Sequence, residues 1–226
     1  MSDRPETETS MTDPAALAQL QADAAAVVSE PDLRERVKAL TARTLHERRL
    51  VVEDVRAIVT AVTTGVGEGL SARGGEIREG LKQAVAGVDD AVGSAAQAAS
   101  YALQEAVAKG KDYKDNELKA SLEQLRDLES QLLDTLKQTA DQSRGKLKEE
   151  LDSLSVHLRR SGTRTGEQVR EALQQLAQGV KTSANASRAG LSESAGTAAD
   201  RLAQVASGVL EALSESLKRQ SERLRS

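Results

Sequence analysis

Two histidines, His46 and His157, are the side chains in this chain best suited to proton transfer or metal binding, and cysteine is absent. A metal site needs several ligands converging from one face, and neither histidine has another His or Cys within a helical turn. Both are therefore read as solvated surface residues. Nucleophilic attack would fall to a serine, but the serines lie in Ser/Ala/Gly-rich stretches with no histidine at a repeated spacing. A Ser–His–acid arrangement has no support there. Arg73-Gly74-Gly75-Glu76 lacks the preceding strand and the trailing Gly-Lys-Ser/Thr of a phosphate loop. The run from Asp112 to Glu117 has too few ligands and no central glycine for a calcium loop. The acidic pairs Glu53-Asp54, Asp89-Asp90 and Glu149-Glu150 are placed on polar helix faces as solvated charge. No catalytic, cofactor-binding or metal-ligating residue is assigned. The expectation is a protein that is not an enzyme and uses no cofactor.

Composition points the same way. The chain has 226 residues, 38% hydrophobic and 29% charged, with two Tyr and neither Phe nor Trp. Aromatic side chains supply the largest buried areas in most globular cores. A core here must be built from Leu, Val and Ala, which suits long helices and coiled coils. The formal net charge of −4 provides no basic footprint, so no nucleic-acid partner is expected. The opening Met1-Ser2-Asp3-Arg4-Pro5-Glu6 has neither the basic start nor the apolar run of a signal peptide. No apolar stretch approaches the ~20 residues of a transmembrane segment. Together with the missing cysteines, this places the protein in the cytoplasm.

The elements follow from proline and from periodicity. Pro5, Pro14 and Pro31 are the only prolines, so nothing from Asp32 to Ser226 forbids long helices. Residues 1–13 read as a disordered acidic tail. Asp13-Pro14 reads as an N-cap with proline at the first helical position, opening a short helix over 14–30. Residues 31–226 form one long helical region with an 11-residue repeat. Its seam is Val59, Leu70, Leu81, Val92, Leu103, Lys114, Leu125, Leu136, Leu147, Leu158, Val169, Val180, Leu191, Leu202, Leu213 and Leu224, where only Lys114 departs from Leu or Val.

Two companion columns give the stripe a 4-3-4 spacing. One holds Val85, Ala96, Ala140, Leu151 and Leu173, interrupted at Glu129 and Gly162. The other holds Val55, Val66, Val88, Ala99, Leu132 and Leu154, interrupted among others at Ser143 and Thr165. Eleven residues in three turns give 3.67 per turn, a nearly straight stripe that favours a slight right-handed supercoil.

The weak points lie near 65–75, where Gly65, Gly67, Gly69, Gly74 and Gly75 cluster, near 110–116, and near 161–166. Each glycine costs a helix about 1 kcal/mol relative to alanine. The fold class is all-α. Two forms stay open: a continuous coiled-coil rod, or an elongated helical bundle folded at these points.

An amphipathic stripe of this kind can pack against other helices or lie along an apolar surface. From Asp32 to Gly110 acids and bases are in balance, whereas surface-seeking helices carry a Lys/Arg-rich polar face. Small shoulder residues such as Ala96, Ala99 and Ala184 permit close helix approach. Self-association, with the chain itself as partner, is the first expectation. An apolar granule or lipid surface is the second.

The 11-residue amphipathic repeat resembles that of apolipoproteins. The Ala/Gln/Ser-rich helices, such as Ala98-Ala99-Ser100-Tyr101-Ala102-Leu103-Gln104-Glu105-Ala106-Val107, resemble phasins, coat proteins of bacterial storage granules. These resemblances cover residues 32–226 and imply a surface-coating role. The stretches RGGEIREGLKQAVAGVDDAV and NELKASLEQLRDLESQLLDTL are similar to an uncharacterised bacterial all-helical family, which implies a fold and no activity. The 11-residue desiccation protectants are a third resemblance, with weaker apolar seams than this column.

Overall fold

A computed structural model of the chain describes residues 14–29, 31–46, 52–74, 76–108 and 115–175. Pro14 opens α1 (Pro14–Val27), where its missing N–H costs nothing. Asp32, at φ 59°, turns the chain into α2 (Leu33–His46), and its carbonyl accepts the N–H of Arg36. α3 is Val52–Ala72 and α4 is Ile77–Ala108. α5 is Asp115–Gln142, α6 is Gly145–Ser161, and a further helical run covers 164–175. Every described element is helical.

The described part is a bundle of helices folded back on one another, and the continuous rod is not what forms. α1 packs on α3, α2 on α4, and α5 on α6, with α3 also against α4 and α5. The 65–75 region breaks the helix only at its end, around Arg73-Gly74. Gly65, Gly67 and Gly69 lie inside α3 and serve as close-approach points. A Cβ on Gly65 would collide with the carbonyl oxygen of Gln21, and one on Gly69 would come within 2.6 Å of that of Ala25. Gly65 and Gly69 are one helical turn apart, so they form the flat strip on which the α1 backbone rests. Since Gln21 meets Gly65 and Glu68, Ala25 meets Gly69, and Arg73 donates to the carbonyl of Val28, α1 and α3 run parallel.

A turn with no counterpart in the sequence reading separates α5 from α6 at Ser143-Arg144. Ser143 N–H closes α5 on the carbonyls of Thr139 and Ala140, at 3.0 and 3.1 Å. Arg144 is extended and Gly145 takes φ 58°, a value that suits glycine. The two helices are antiparallel, as the pairs Lys137–Asp152 and Asp134–Arg159 require.

Candidate functional site

The stripe is the core. Val59, Leu81 and Val92 are fully buried, Leu136 nearly so, and Leu125 and Val169 are buried with them. Leu70, Leu147 and Leu158 are partly buried against the same cluster. The companion positions Val55, Val66, Val85, Val88, Ala96, Ala99, Leu132, Ala140 and Leu151 are buried too. Among the described residues the seam therefore packs against helices of its own chain. The side chain of Leu103 and the seam positions Val180, Leu191, Leu202, Leu213 and Leu224 lie outside the described residues, as do the 1–13 tail and Asp13.

Three interruptions of the stripe fall at one joint. Glu129, Gly162 and Thr165 break the companion columns, and all three sit at one junction between α4, α5 and the 164–175 helix. Gly162 (φ 84°) ends α6 and donates its N–H to the carbonyl of Leu158 at 2.8 Å. The next helix starts at a carboxylate clasp. Asp89 on α4 accepts the backbone N–H groups of Arg164 at 2.7 Å and Thr165 at 2.8 Å. The Thr165 hydroxyl donates to the Asp89 carbonyl at 3.0 Å. Glu129 on α5 accepts the N–H and hydroxyl of Thr163, at 3.2 and 2.8 Å, and Thr163 Oγ1 in turn accepts the N–H of Gly166. The first N–H groups of a helix lack intrahelical partners, and their positive dipole end favours an anion. Two carboxylates from neighbouring helices satisfy them here.

From the clasp the 164–175 helix runs parallel to α4, with Ser100 donating to the carbonyl of Ala172 at 3.2 Å. The contact is polar for a core. Asp89, Ser100, Thr163, Thr165 and Gln168 are all buried in it, and the Gln168 side-chain oxygen is pressed against Gly93 with no hydrogen-bond partner.

Asp89 and Asp90 correct the sequence reading, which placed the pair on a solvated face: their exposures are 6% and 9%. Asp90 is held by Arg34 of α2 at 2.8 Å. Of the other pairs, Glu149 is exposed and Glu150 reaches Arg78 at 3.7 Å. His157 is exposed, while His46 is half-buried with its Nδ1 shielded from solvent. The signal for the clasp was Thr163 directly after Gly162, a stop followed by an N-cap residue. Its carboxylate partners, 34 and 75 residues away, carry no local signal.

The outer face of the α5–α6 hairpin is knitted by charge. Lys137 donates to Asp141 and Asp152, each at 2.8 Å. The hydrogen bond from Lys137 holds the Asp141 carboxyl below the usual carboxylate range, and those to Asp141 and Asp152 raise the Lys137 ammonium above its ordinary value. Among the described residues no His/Cys/Asp/Glu group is disposed to hold a metal ion, and no helix is long and apolar enough to cross a membrane.

This is an all-α bundle whose distinguishing features are packing surfaces and one polar joint. The chain belongs to a family of unknown function, DUF6781, whose model matches residues 8–219. No curated protein and no solved structure matches it.

Proposed function

We propose that the chain is a non-enzymatic, cytoplasmic structural protein, a self-associating helical scaffold or coat. The carrying observation is that one 11-residue column supplies the buried packing surface of the described bundle and continues in sequence, at unchanged spacing, through Val180, Leu191, Leu202, Leu213 and Leu224. Burying each Leu or Val contributes about 1.5–3 kcal/mol, so the positions from Val180 to Leu224 would add to the drive for helix association.

The test is a thermal melt by circular dichroism over a hundredfold range of protein concentration, alongside light scattering. A midpoint and a mass that rise with concentration support association. A fixed midpoint and the monomer mass at every concentration overturn it. Leu202→Asp with Leu213→Asp should lower the oligomer mass, and an unchanged mass removes that part of the column from the interface.

A second reading is favoured by the constant phase of the stripe. A bundle opened at its joints would present one apolar stripe to a lipid or polyester granule, in keeping with the phasin and apolipoprotein resemblances. Titration with vesicles of neutral phospholipid tests it. Bundle opening on the vesicles would show as loss of hydrogen-exchange protection in α3 and α4, and unchanged exchange rules the reading out.

A further inference from the structure

Across the α5–α6 turn the stripe keeps its helical spacing: Leu132, Leu136, Ala140, Ser143, Leu147, Leu151, Leu154 and Leu158 follow at intervals of three and four. A hairpin makes no such demand. Its turn can gain or lose a residue while the two helices still face each other, so the phase on either side is free. A constant phase is what a helix that runs straight through needs, and the column keeps it across the α3–α4 turn as well, from Leu70 to Leu81. We infer that α5 and α6 have a second arrangement, in which residues 143–145 become helical, α5 and α6 join into one helix, and α6 with the 164–175 helix docks on a second copy of this chain. The occupant of the vacated place is the same segment of that second copy, so the exchange is reciprocal. It rests on the self-association reading and specifies its geometry.

Three observations single out this joint. First, its connection, Ser143-Arg144, is two residues long and contains no proline, and Gly145, which opens α6, takes positive φ. Short connections of this kind are where segments exchange between copies. The α6 exit, by contrast, is fastened by Asp89 and Glu129.

Second, apart from the ion pair of Asp141 with Lys148 at 3.9 Å, the α5–α6 contacts named here lie away from the turn. The apolar contacts of Leu132 and Leu151, and the ion pairs of Lys137 with Asp152 and of Asp134 with Arg159, can form unchanged between copies. Third, the turn itself contributes little that would be lost. Arg144 makes no side-chain cap bond to α6, and nothing lies within 4 Å of where a Cβ on Gly145 would stand.

The full chain has no cysteine, so a spin-label pair can be placed by Ser130→Cys and Arg160→Cys, both at exposed positions. In the hairpin these residues sit on adjacent helices about 8–10 Å apart. In the joined helix they are 30 residues apart, roughly 45 Å at 1.5 Å per residue. The labelled chain is refolded with an excess of unlabelled chain at high and low concentration, and the monomer and dimer fractions are measured separately. The long distance should appear in the dimer alone.

Gly145→Ala opposes the positive φ of the turn and favours helix, and should raise the dimer fraction several-fold. Lys146→Pro is tolerated in the first turn of α6 but breaks a helix running through, and should remove the long distance. A dimer that keeps the short distance, with neither variant changing its fraction, overturns the exchange and leaves self-association standing. Monomer at every concentration, for the parent and for Gly145→Ala alike, overturns both.

Discussion

Asp89 and Thr165, 76 residues apart in sequence, bind each other twice: the carboxylate of Asp89 accepts the Thr165 N–H at 2.8 Å, and the Thr165 hydroxyl donates to the Asp89 carbonyl at 3.0 Å. The pair joins the middle of α4 to the first turn of the 164–175 helix. Each member contributes one side-chain and one backbone group, so neither bond forms without the position of both elements.

Asp89→Ala should therefore destabilise the chain by about 1–3 kcal/mol, since it leaves two backbone N–H groups without their acceptor in a buried setting. Chemical denaturation measures the total. Hydrogen exchange locates it: protection should fall first over residues 164–168, and uniform loss across α4 would contradict the capping role. Asp89→Asn keeps one acceptor oxygen and should recover part of the loss.

Gly65→Ala sets two effects against each other. Alanine favours the α3 helix by about 1 kcal/mol, but its methyl group would strike the Gln21 backbone, which overpacks the contact at about 1–3 kcal/mol. The clash should win, because the obstacle is backbone and cannot rotate away. A lower midpoint in denaturant is expected, together with faster exchange in α1. A stabilised variant would mean that α1 does not lie on this strip.

The seam should be sensitive and the outer face tolerant. Leu136→Ala or Leu151→Ala removes a buried side chain and should cost about 2–5 kcal/mol. Val156→Ala, on a residue 53% exposed, should stay within about 0.5 kcal/mol. Equal effects at the three positions, measured by equilibrium unfolding, would deny the column its role as core.

The Lys137 network predicts a pH dependence with a definite sign. Asp141 has its folded pKa depressed by Lys137, so its contribution is present above the unfolded carboxylate value near 3.8 and is lost as pH falls through the lower folded value. Lys137 is raised by Asp141 and Asp152, so its contribution is present below the unfolded value near 10.5 and lost as pH rises beyond it. All three groups lie at the surface, which keeps the effect small and sensitive to salt. Lys137→Met should reduce the acid-side slope of the melting midpoint at low ionic strength and leave it unchanged in 1 M salt.

The sequence revealed the core better than it revealed the path of the chain. Val59, Leu81, Val92 and Leu136 fell in one column because helices bury residues by periodicity, and that periodicity survives any folding of the helices. Pro14 and the Gly74 and Gly162 stops were visible for local reasons. The Ser143-Arg144 turn was not, because a stripe in constant phase gives no sign of a reversal.

Gly65 and Gly69 looked like helix breakers, since their function depends on an α1 backbone that periodicity cannot place. Asp89 looked solvated because its partners are N–H groups some 75 residues away. The interruptions of the stripe at Glu129, Gly162 and Thr165 were the usable signal. Each marks a place where the helices turn or are fastened together.

The parallel seating of α1 on α3 has a consequence for the order in which the molecule can be made. Gln21 must wait for Glu68, 47 residues later, before it has its partner. At about 5–20 residues per second, that is a delay of roughly 2–10 s on the ribosome. The first helix synthesised thus has no strip to lie on until Gly65 and Gly69 have left the exit tunnel, so it docks onto a surface laid down after it.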